Sequence, residues 1–352
     1  MDTLPGAATT APDGSSKPRL GFLGVGWIGR SRMEAVVQSG VAEVVAVSDP
    51  SDEAVAEAVA AAVEAAPGAE PAADLDALLA LGLDGLVIAT PSAMHAAQSV
   101  AALERGLAVF CQKPLARTAD EARRVVDAAR AADRPLGVDL SYRHVAGVTA
   151  LRDLVQTGAL GTVYAADLTF HNAYGPDKDW FYDVERSGGG CVVDLGVHLV
   201  DLALWALGYP EVTGVESRLY AGGERVRPPL DRVEDYAVAT LDLAAGPASG
   251  AGASVRLACS WNLPAGQDAQ IEATLYGTGG GVRLANVGGS FYDFTVERLH
   301  GTSRETIAAP PDAWGGRAAV AWAEQLAAGE GFDPEAERLV ALHRVLDQIY
   351  GR

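Results

Sequence analysis

Cysteine is scarce in this sequence. Of 352 residues only Cys111, Cys191 and Cys259 are cysteines, and they form no C-x-x-C pattern. An odd number of scattered cysteines excludes a disulfide framework and a cysteine zinc site. We therefore expect a reducing compartment, and the cytoplasm is the predicted location.

Positively charged residues are also few. The chain has 27 Lys and Arg residues against 46 Asp and Glu residues, which gives a net charge of −19 at pH 7. Such a surface repels phosphate backbones and anionic lipid headgroups, so binding to nucleic acid or to membrane surfaces is disfavoured. A small anionic ligand stays compatible with this charge, because a local field can oppose the total.

Long apolar runs are missing as well. No run of 18 or more uncharged apolar residues occurs, so no transmembrane span is predicted. Residues 1–18 are rich in Ala, Thr, Pro, Gly and Ser, which predicts a disordered tail and not a signal peptide. With 49% hydrophobic and 21% charged residues, the chain has the composition of a soluble globular protein, and its length predicts two domains.

A glycine fingerprint lies near the start of the first apolar segment. Gly24, Gly26 and Gly29 form a G-x-G-x-x-G motif between an apolar run at 19–25 and a helical pattern at 30–39. In this context the first glycine permits a tight turn, the second lets the backbone approach a pyrophosphate, and the third lets helix and strand pack closely. The motif therefore predicts a dinucleotide-binding site, with the helix N-terminus supplying N–H donors.

An acidic residue follows at the distance that such a site requires. Asp49 comes just after the second predicted strand, 43–47, where a carboxylate binds the hydroxyls of the adenosine ribose. Residues 50–53 contain no Arg or Lys to neutralise a 2′-phosphate, so NAD is favoured over NADP. A helix N-cap or turn residue is the alternative interpretation of Asp49.

Strands alternate with helices throughout residues 19–140. Apolar runs that predict further strands lie at 83–89, 106–111 and 135–139. This order predicts a doubly wound parallel sheet. Because ligands bind beyond the carboxyl ends of such strands, we expect Asp49, the segment 90–95 and Lys113 on one rim.

Lys113 is the strongest single candidate for a catalytic residue on this rim. It follows a predicted buried strand and precedes Pro114, which restricts the backbone beside it and allows a cis peptide bond. An ammonium group there can hold a substrate hydroxyl and favour its deprotonated form as hydride leaves the carbon. A surface lysine in a strand-to-helix loop is the alternative.

The pattern changes after residue 140. An amphipathic helix at 148–157 is followed by alternating runs, which predict a mainly antiparallel sheet with one covered face. The runs lie at 162–170, 211–220, 235–243, 254–261, 271–276, 281–284 and 291–299. With closing helices at 313–328 and 334–350, residues 141–352 are predicted as an α+β domain.

Three glycines, 188–190, precede an apolar helical pattern between these runs. Asp194, His198 and Asp201 are spaced i, i+4, i+7 in it, which places them on one face of an α-helix. A carboxylate beside an imidazole can orient the imidazole for proton transfer. Free imidazole has a pKa near 6.5, so His198 is suited to take up and release a proton at neutral pH. The alternative is an amphipathic helix whose polar edge contacts water.

Four motifs together resemble the glucose–fructose oxidoreductase/inositol dehydrogenase (Gfo/Idh/MocA) family of NAD(P)-dependent oxidoreductases. They are Gly24-x-Gly-x-x-Gly29, Thr90-Pro91 with His95, Gln112-Lys113-Pro114 and Gly188-Gly-Gly-Cys-Val-Val-Asp194-x-Gly-x-His198. The resemblance extends from around residue 19 to the end of the chain. It implies a Rossmann domain followed by an α/β domain with a large, open, mostly antiparallel sheet, which in the family often forms the interface of a homo-dimer or homo-tetramer.

The resemblance also implies roles for individual residues. Lys113 would position the substrate hydroxyl, His198 would accept its proton, and Asp194 would bind substrate or orient His198. The cofactor contacts would be Gly24, Gly26, Trp27, Ile28, Gly29, Asp49, Thr90, Pro91, His95, Gln112 and Lys113.

The substrate contacts would include Asp194 and His198. Tyr142 and Arg143 match a family segment that often lines the substrate pocket. Trp180 and Tyr182 lie in a loop just before the three glycines, and their aromatic faces suit the apolar side of a sugar ring. A packed loop is the alternative for these two aromatic residues.

The chain departs from the family pattern at Gln112, where many members have a glutamate before the lysine. A neutral amide keeps a hydrogen-bonding role but removes a charge that could tune Lys113. Other histidines remain: His144 and His171 are further pocket candidates, whereas His300 and His343 are assigned to surface or core. No ligand spacing supports a metal site.

These observations predict an NAD-dependent oxidoreductase that acts on a secondary alcohol of a sugar, cyclitol or related polyol. Two alternatives stay open. One is an NAD-dependent glycoside hydrolase with transient oxidation, in which NADH does not accumulate. The other is a non-catalytic nucleotide-sensing regulator on the same fold, which would bind NAD without turnover on a broad sugar panel.

Overall fold

The computed structural model describes residues 17–63 and 68–352. Of the predicted disordered tail, 1–18, only the last two residues belong to the described part. The Ala- and Glu-rich sequence after Asp49 also predicts a helix that is broken near Pro67-Gly68, and Pro67 lies outside the described part. The described chain contains two sheets, of six and nine strands.

The first sheet is parallel. Its strands are β1 (Arg19–Leu23), β2 (Glu43–Ser48), β3 (Glu70–Pro71), β4 (Gly85–Ile88), β5 (Ala108–Cys111) and β6 (Leu136–Val138). They are arranged in the order β3-β2-β1-β4-β5-β6, and every pair is parallel. The apolar strands β4 and β5 are completely buried, because helices pack on both faces. The strand order reverses between β1 and β4, which is where doubly wound sheets bind ligands.

Helices connect these parallel strands. They are α1 (Trp27–Ser39), α2 (Asp52–Val63), α3 (Leu75–Leu79), α4 (Ser92–Leu103) and α5 (Ala119–Ala132). Helix α1 ends at Gly40, whose φ of 66° lies in the left-handed region that favours glycine. Helix α5 begins after Thr118, whose side chain accepts a hydrogen bond from the Glu121 N–H.

The second sheet is mainly antiparallel. Its strands are β7 (Val163–Asn172), β8 (Val212–Ala221), β9 (Glu224–Val226), β10 (Tyr236–Leu243), β11 (Ala253–Ser260), β12 (Ala269–Gly277), β13 (Gly280–Asn286), β14 (Phe294–His300) and β15 (Ser303–Ala308). They are arranged in the order β15-β14-β13-β12-β7-β11-β10-β8-β9, and only the β7/β11 pair is parallel. A parallel sheet followed by a larger, mainly antiparallel one confirms the predicted fold class.

The remaining helices cover one face of this second sheet or return to the first sheet. They are α6 (Val148–Gln156), α7 (Val184–Ser187), α8 (Val197–Leu207), α9 (Arg317–Ala327) and α10 (Glu337–Tyr350), with short 3₁₀ turns at Ser141–His144, Asp179–Tyr182 and Pro334–Ala336. Helices α6, α8 and α10 pack on the nine-stranded sheet, and α6 and α10 each pack against α8. The opposite face of that sheet is open, so residues along β11 alternate between buried and accessible positions.

Helix α9 belongs by packing to the parallel sheet, although it lies near the end of the chain. Its Trp322 is buried, with its ring 5.8 Å from that of Phe110 on β5. Gly85 and Gly137 make room for this indole, since a Cβ at either position would lie within 3 Å of it. The boundary predicted after residue 140 falls between β6 and the turn that follows, yet one face of the first sheet is completed by α9.

Three strands were not predicted from the sequence: β3, β9 and β15. Strands β3 and β9 have only two and three residues, too few to show an alternating pattern. Strand β15 is an edge strand whose side chains are mostly exposed on both faces, so its sequence SRETIA has no apolar side. Period-two patterning detects a strand only where one face is buried.

The stretch Val184–Leu207 is long and apolar enough, by length and composition alone, to cross a membrane. However, 89% of its most apolar window is buried inside the protein. It contains α7, the three glycines and α8, and α8 packs against β7, β11, α6 and α10. Its apolar character is therefore that of a core helix.

Candidate active site

Lys113 and Asp194 meet at the carboxyl end of the parallel sheet. Lys113 lies two residues beyond β5, and its peptide bond to Pro114 is cis. Its Nζ donates to Asp194 Oδ1 at 2.6 Å and to the Asp194 carbonyl oxygen at 2.8 Å. The two side chains are 20% and 15% exposed, so the pair is partly shielded from water without being sealed off. The structure thus brings together two candidates that are 81 residues apart.

Asp194 does not lie on a regular α-helix. The segment Val192–Gly196 forms a π-helical turn, which leads directly into α8. Such turns occur often at functional sites, because the extra residue per turn reorients the side chains. Asp194 faces Lys113, whereas Asp201 pairs with Arg143. The i, i+4, i+7 geometry predicted for a single α-helix is therefore wrong in detail.

The glycines at 188–190 let neighbouring residues pack directly against the backbone of this segment. A Cβ at Gly189 would overlap the hydroxyl of Tyr350, and one at Gly190 would overlap the carbonyl oxygen of Glu234. The buried Glu234 carboxylate accepts hydrogen bonds from the N–H groups of Gly190 and Val192 and from the Tyr350 hydroxyl at 2.8 to 3.0 Å. Sequence reasoning missed Glu234, which anchors the segment that carries Asp194.

His198 lies at the start of α8, with only 8% of its surface exposed. Its ring packs against Tyr142, 4.9 Å away between centroids. Burial, followed by the positive charges of Lys113 and Arg32, holds the pKa of His198 well below its usual value of 6.5. The imidazole is therefore neutral at pH 7, where it can accept a proton. A neutral imidazole is the form that the predicted role of proton acceptor requires.

Asp194 has a second donor that sequence reasoning did not identify. The indole Nε1 of Trp261 donates to Asp194 Oδ2 at 3.0 Å, while Lys113 binds Oδ1. Both carboxylate oxygens thus have donors other than His198. Trp261 directly follows β11, and no local spacing relates it to the D-x-G-x-H motif.

The glycine loop has the shape that a dinucleotide requires. A Cβ at Gly24 would lie 2.5 Å from the Ala89 carbonyl oxygen, and one at Gly29 would overlap Gly24. In contrast, nothing lies within 4 Å of the position of a Cβ at Gly26, so the backbone there is open to a ligand. No side chain caps α1 at Gly26, which leaves the first N–H groups of this helix available to an anion. Trp27 and Ile28 form the first turn beside them, and Trp27 is 66% exposed.

Asp49 is held at the edge of this loop. Its Oδ2 accepts from the Val25 N–H and its Oδ1 from the Ser51 N–H, both at 2.9 Å. Each carboxylate oxygen has a further lone pair for a ribose hydroxyl. The basic residue of α1 that faces α2, Arg30, is paired with Glu57. These residues fit an adenosine ribose with free hydroxyls. The hydrogen bond from the Ser51 N–H also gives Asp49 the turn-stabilising role that was its alternative interpretation.

Thr90, Pro91 and His95 lie in the loop after β4 and in the first turns of α4. The two ring nitrogens of the buried His95 are each 2.7 Å from a carbonyl oxygen, one of Pro114 and one of Thr90. His95 thereby connects this loop to the one that carries Lys113. The Thr90 hydroxyl donates to Gln98 at 2.6 Å.

Gln112 contacts a carboxylate that the sequence did not point to. Its amide donates to Asp139 Oδ2, which also accepts from Arg32 Nε at 2.6 Å. Asp139 is 1% exposed. A negative charge next to position 112 is therefore present, but Asp139 supplies it from the loop after β6.

The predicted substrate residues lie in two places. Tyr142 packs against His198, and burial, followed by the negative charge of Asp194, raises its pKa. Arg143 instead donates to Asp201 at 2.8 Å and contacts Tyr209, so its guanidinium is engaged in a buried network that supports α8.

The aromatic loop before the glycines reaches the Asp194 site through Trp261. Tyr182 is 47% exposed, and its ring lies 5.7 Å from that of Trp261. Trp180 stacks on Phe181 at 3.8 Å, and Phe181 in turn lies edge-on to Trp261. The loop is therefore packed against Trp261 and also partly accessible. Trp180 and Tyr182 fit both the packed loop and the aromatic sugar-binding surface that the sequence allowed.

The other histidines are distributed over the structure. His171 bonds to Ser260 at 2.7 Å and stacks on Tyr236. His343 is buried and accepts from the Ala116 N–H, whereas His300 is exposed at the end of β14. His144 lies half-buried in the turn after β6. Among residues 17–63 and 68–352, no three His, Cys, Asp or Glu side chains are grouped to hold a metal ion.

The parallel sheet, the open glycine loop and the Lys113–Asp194 pair define an oxidoreductase-type protein with an NAD-binding Rossmann fold. The family model for an oxidoreductase family with this fold matches residues 19–140, and the model for the GFO/IDH/MocA C-terminal domain matches residues 148–283. The chain belongs to the Gfo/Idh/MocA family. The predicted family and the predicted cofactor, NAD, are both confirmed.

Individual relatives are similar over different parts of the chain. D-glucoside 3-dehydrogenase of Escherichia coli (strain K12) is 33% identical over 41% of this chain and 41% of its own length. D-apiose dehydrogenase of Paraburkholderia graminis is 30% identical over 86% of this chain and 74% of its own length. The crystal structure of GenD2 from gentamicin A biosynthesis, in complex with NAD, has a TM-score of 0.77 at 24% identity, with 98% of both chains covered. The chain thus spans less than half the length of the first of these relatives, and the likeness to GenD2 shows the fold.

Proposed function

We propose that this protein is an NAD-dependent oxidoreductase that transfers hydride between a secondary alcohol of a sugar, cyclitol or related polyol and the nicotinamide. The observation that carries this proposal is the Lys113–Asp194 pair beside His198, at the carboxyl end of the parallel strands. The relatives described as a D-glucoside dehydrogenase and a D-apiose dehydrogenase support the substrate class.

Three residues divide the chemistry between them. Lys113 donates a hydrogen bond to the substrate hydroxyl oxygen and stabilises the negative charge that develops there. His198, neutral at pH 7, accepts the hydroxyl proton. Asp194 orients Lys113, because its carboxylate binds the ammonium group directly.

The cofactor residues complete the site. Gly26 and the N-terminus of α1 fit the pyrophosphate, and Asp49 fits the adenosine ribose. NAD, when bound, supplies the hydride acceptor. Tyr182, which is 47% exposed and whose ring lies 5.7 Å from that of Trp261, provides aromatic surface for the apolar side of a sugar ring.

The near-ultraviolet absorbance of reduced nicotinamide tests this proposal. Purified protein is mixed with NAD or NADP and with a panel of polyols, cyclitols, aldoses and glycosides. We expect NADH to accumulate with at least one free polyol or sugar, and NADP to be the poorer cofactor because of Asp49. Binding of NAD without turnover of any panel member contradicts the proposal, as does cleavage of a glycoside without accumulation of NADH.

We further propose that the chain forms a homo-dimer or homo-tetramer through the open face of the nine-stranded sheet. That face carries a row of polar and charged residues, which lie opposite one another on four adjacent strands. The row consists of Asp167, Arg256, Thr240 and Glu216. Light scattering is expected to give a mass of two or four times 36.4 kDa. A single-chain mass contradicts this proposal. The cytoplasm stays the predicted location, which cell fractionation tests.

A further inference from the structure

We propose that Trp261 is a positioning residue of the reaction, which fixes the Asp194 carboxylate and through it the ammonium group of Lys113. This inference rests on the proposed function. It concerns a residue that lies outside every motif on which the family resemblance depends. Three observations carry it: the pattern of donors on Asp194, the rigidity of the indole, and the number of donors left on Lys113.

The donors on Asp194 are divided evenly between its two oxygens. Trp261 Nε1 donates to Oδ2 at 3.0 Å, and Lys113 Nζ donates to Oδ1 at 2.6 Å. A carboxylate bound at one oxygen only can rotate about its Cβ–Cγ bond. Since the two donors lie on different oxygens, they hold the carboxylate plane in a single orientation.

The indole is held on a rigid part of the fold. Trp261 is 3% exposed, and its backbone N–H donates to the Asp235 carbonyl oxygen at 2.7 Å, next to the β10/β11 pair. Phe181 packs edge-on against it, with ring centroids 6.2 Å apart and an angle of 88° between the rings. Asp194, in contrast, lies on a π-helical turn. The rigid strand end therefore fixes the less regular helical segment.

This arrangement leaves Lys113 with one free donor. An ammonium group has three N–H bonds, and Asp194 accepts two of them, through Oδ1 and the carbonyl oxygen. The third can point to a substrate hydroxyl only if the first two are fixed. Loss of the Trp261 N–H releases Asp194 Oδ2, and a misplacement of the ammonium by about 1 Å lowers turnover by about 100-fold.

The test is a double-mutant cycle on kcat between Trp261→Phe and Asp194→Asn. Phenylalanine keeps an aromatic ring but removes the N–H. We expect Trp261→Phe to lower kcat by about 10- to 100-fold without a change in the Kd of NAD. In the Asp194→Asn background the same substitution is expected to change kcat by less than about twofold, because its effect passes through the carboxylate.

Trp322→Phe is the matched control for stability. It also removes an N–H from a buried indole, which donates to the Pro135 carbonyl oxygen, in a part of the fold away from Asp194. We expect a comparable decrease in Tm for the two variants and a decrease in kcat for Trp261→Phe alone. Equal kcat for wild type and Trp261→Phe overturns the positioning role, and so does an equal loss in the Asp194→Asn background.

A spectroscopic measurement decides the matter if Trp261→Phe does not fold. Protein labelled with ¹⁵N at its six tryptophans is compared with Asp194→Asn labelled in the same way. One indole N–H signal is expected to move upfield when its charged acceptor becomes neutral, and unchanged indole signals overturn the inference. A wild-type enzyme without turnover on any substrate rejects the proposed function instead, so the two failures are distinguishable.

Discussion

Replacing Lys113 with methionine is expected to lower kcat/KM for the sugar or polyol substrate by about 1,000-fold. Methionine keeps an unbranched side chain of similar length but cannot donate to the substrate oxygen. The charge that develops on this oxygen then has no partner, and Asp194 loses its counter-ion. Steady-state kinetics with the best substrate from the panel measures the loss.

The cofactor should still bind to this variant, because the residues that fit the pyrophosphate and the adenosine ribose are unchanged. Titration with NAD is therefore expected to show a much smaller change in Kd than the change in kcat/KM, although Lys113 itself is a predicted cofactor contact. Lys17→Met is the matched control, since it makes the same chemical change at an exposed position. A Lys113→Met variant with full turnover would remove Lys113 from the proposed reaction.

Replacing His198 with asparagine is expected to lower kcat by about 1,000-fold and to abolish the acidic limb of the pH profile. The sign of the pH dependence follows from the structure. The imidazole accepts a proton only when it is neutral, which it is above its pKa. Because burial, Lys113 and Arg32 lower this pKa, the wild-type kcat/KM should stay constant down to pH 6.5 and decrease only below it.

The pH profile of kcat/KM, measured on the wild type and on His198→Asn, checks this result. His300→Asn serves as the control, because it changes an exposed histidine at the end of β14. An acidic limb centred at or above pH 6.5 would contradict the lowered pKa. An unchanged acidic limb in His198→Asn would assign the proton acceptor to another group.

The sequence was sufficient to predict the parts of the site that depend on local spacing. The G-x-G-x-x-G motif, Asp49 and Lys113 each follow a buried strand, and the carboxyl ends of parallel strands meet on one rim. The fold class was equally accessible, because most strands of the second sheet have one buried face.

The contacts that orient these residues could not be predicted in this way. Trp261 is 67 residues from Asp194, and Asp139 is 27 residues from Gln112. Glu234 is 44 residues from Gly190. No periodicity relates such pairs, because they are brought together by the packing of separate elements. The π-helical turn at Val192–Gly196 was missed for a similar reason, since an α-helical pattern does not reveal an inserted residue.

Helix α9 has a consequence for the order in which the chain is assembled. Residues 19–138 contain all six parallel strands. The aromatic residue that packs on Phe110, Gly85 and Gly137 is nevertheless Trp322 of α9. During synthesis from the N-terminus, α1 and α2 can cover their part of that face early, but the part beside β5 and β6 stays uncovered until α9 has left the ribosome. All strands of the second sheet are therefore synthesised before α9, and until then β5 and β6 expose an apolar surface on this face.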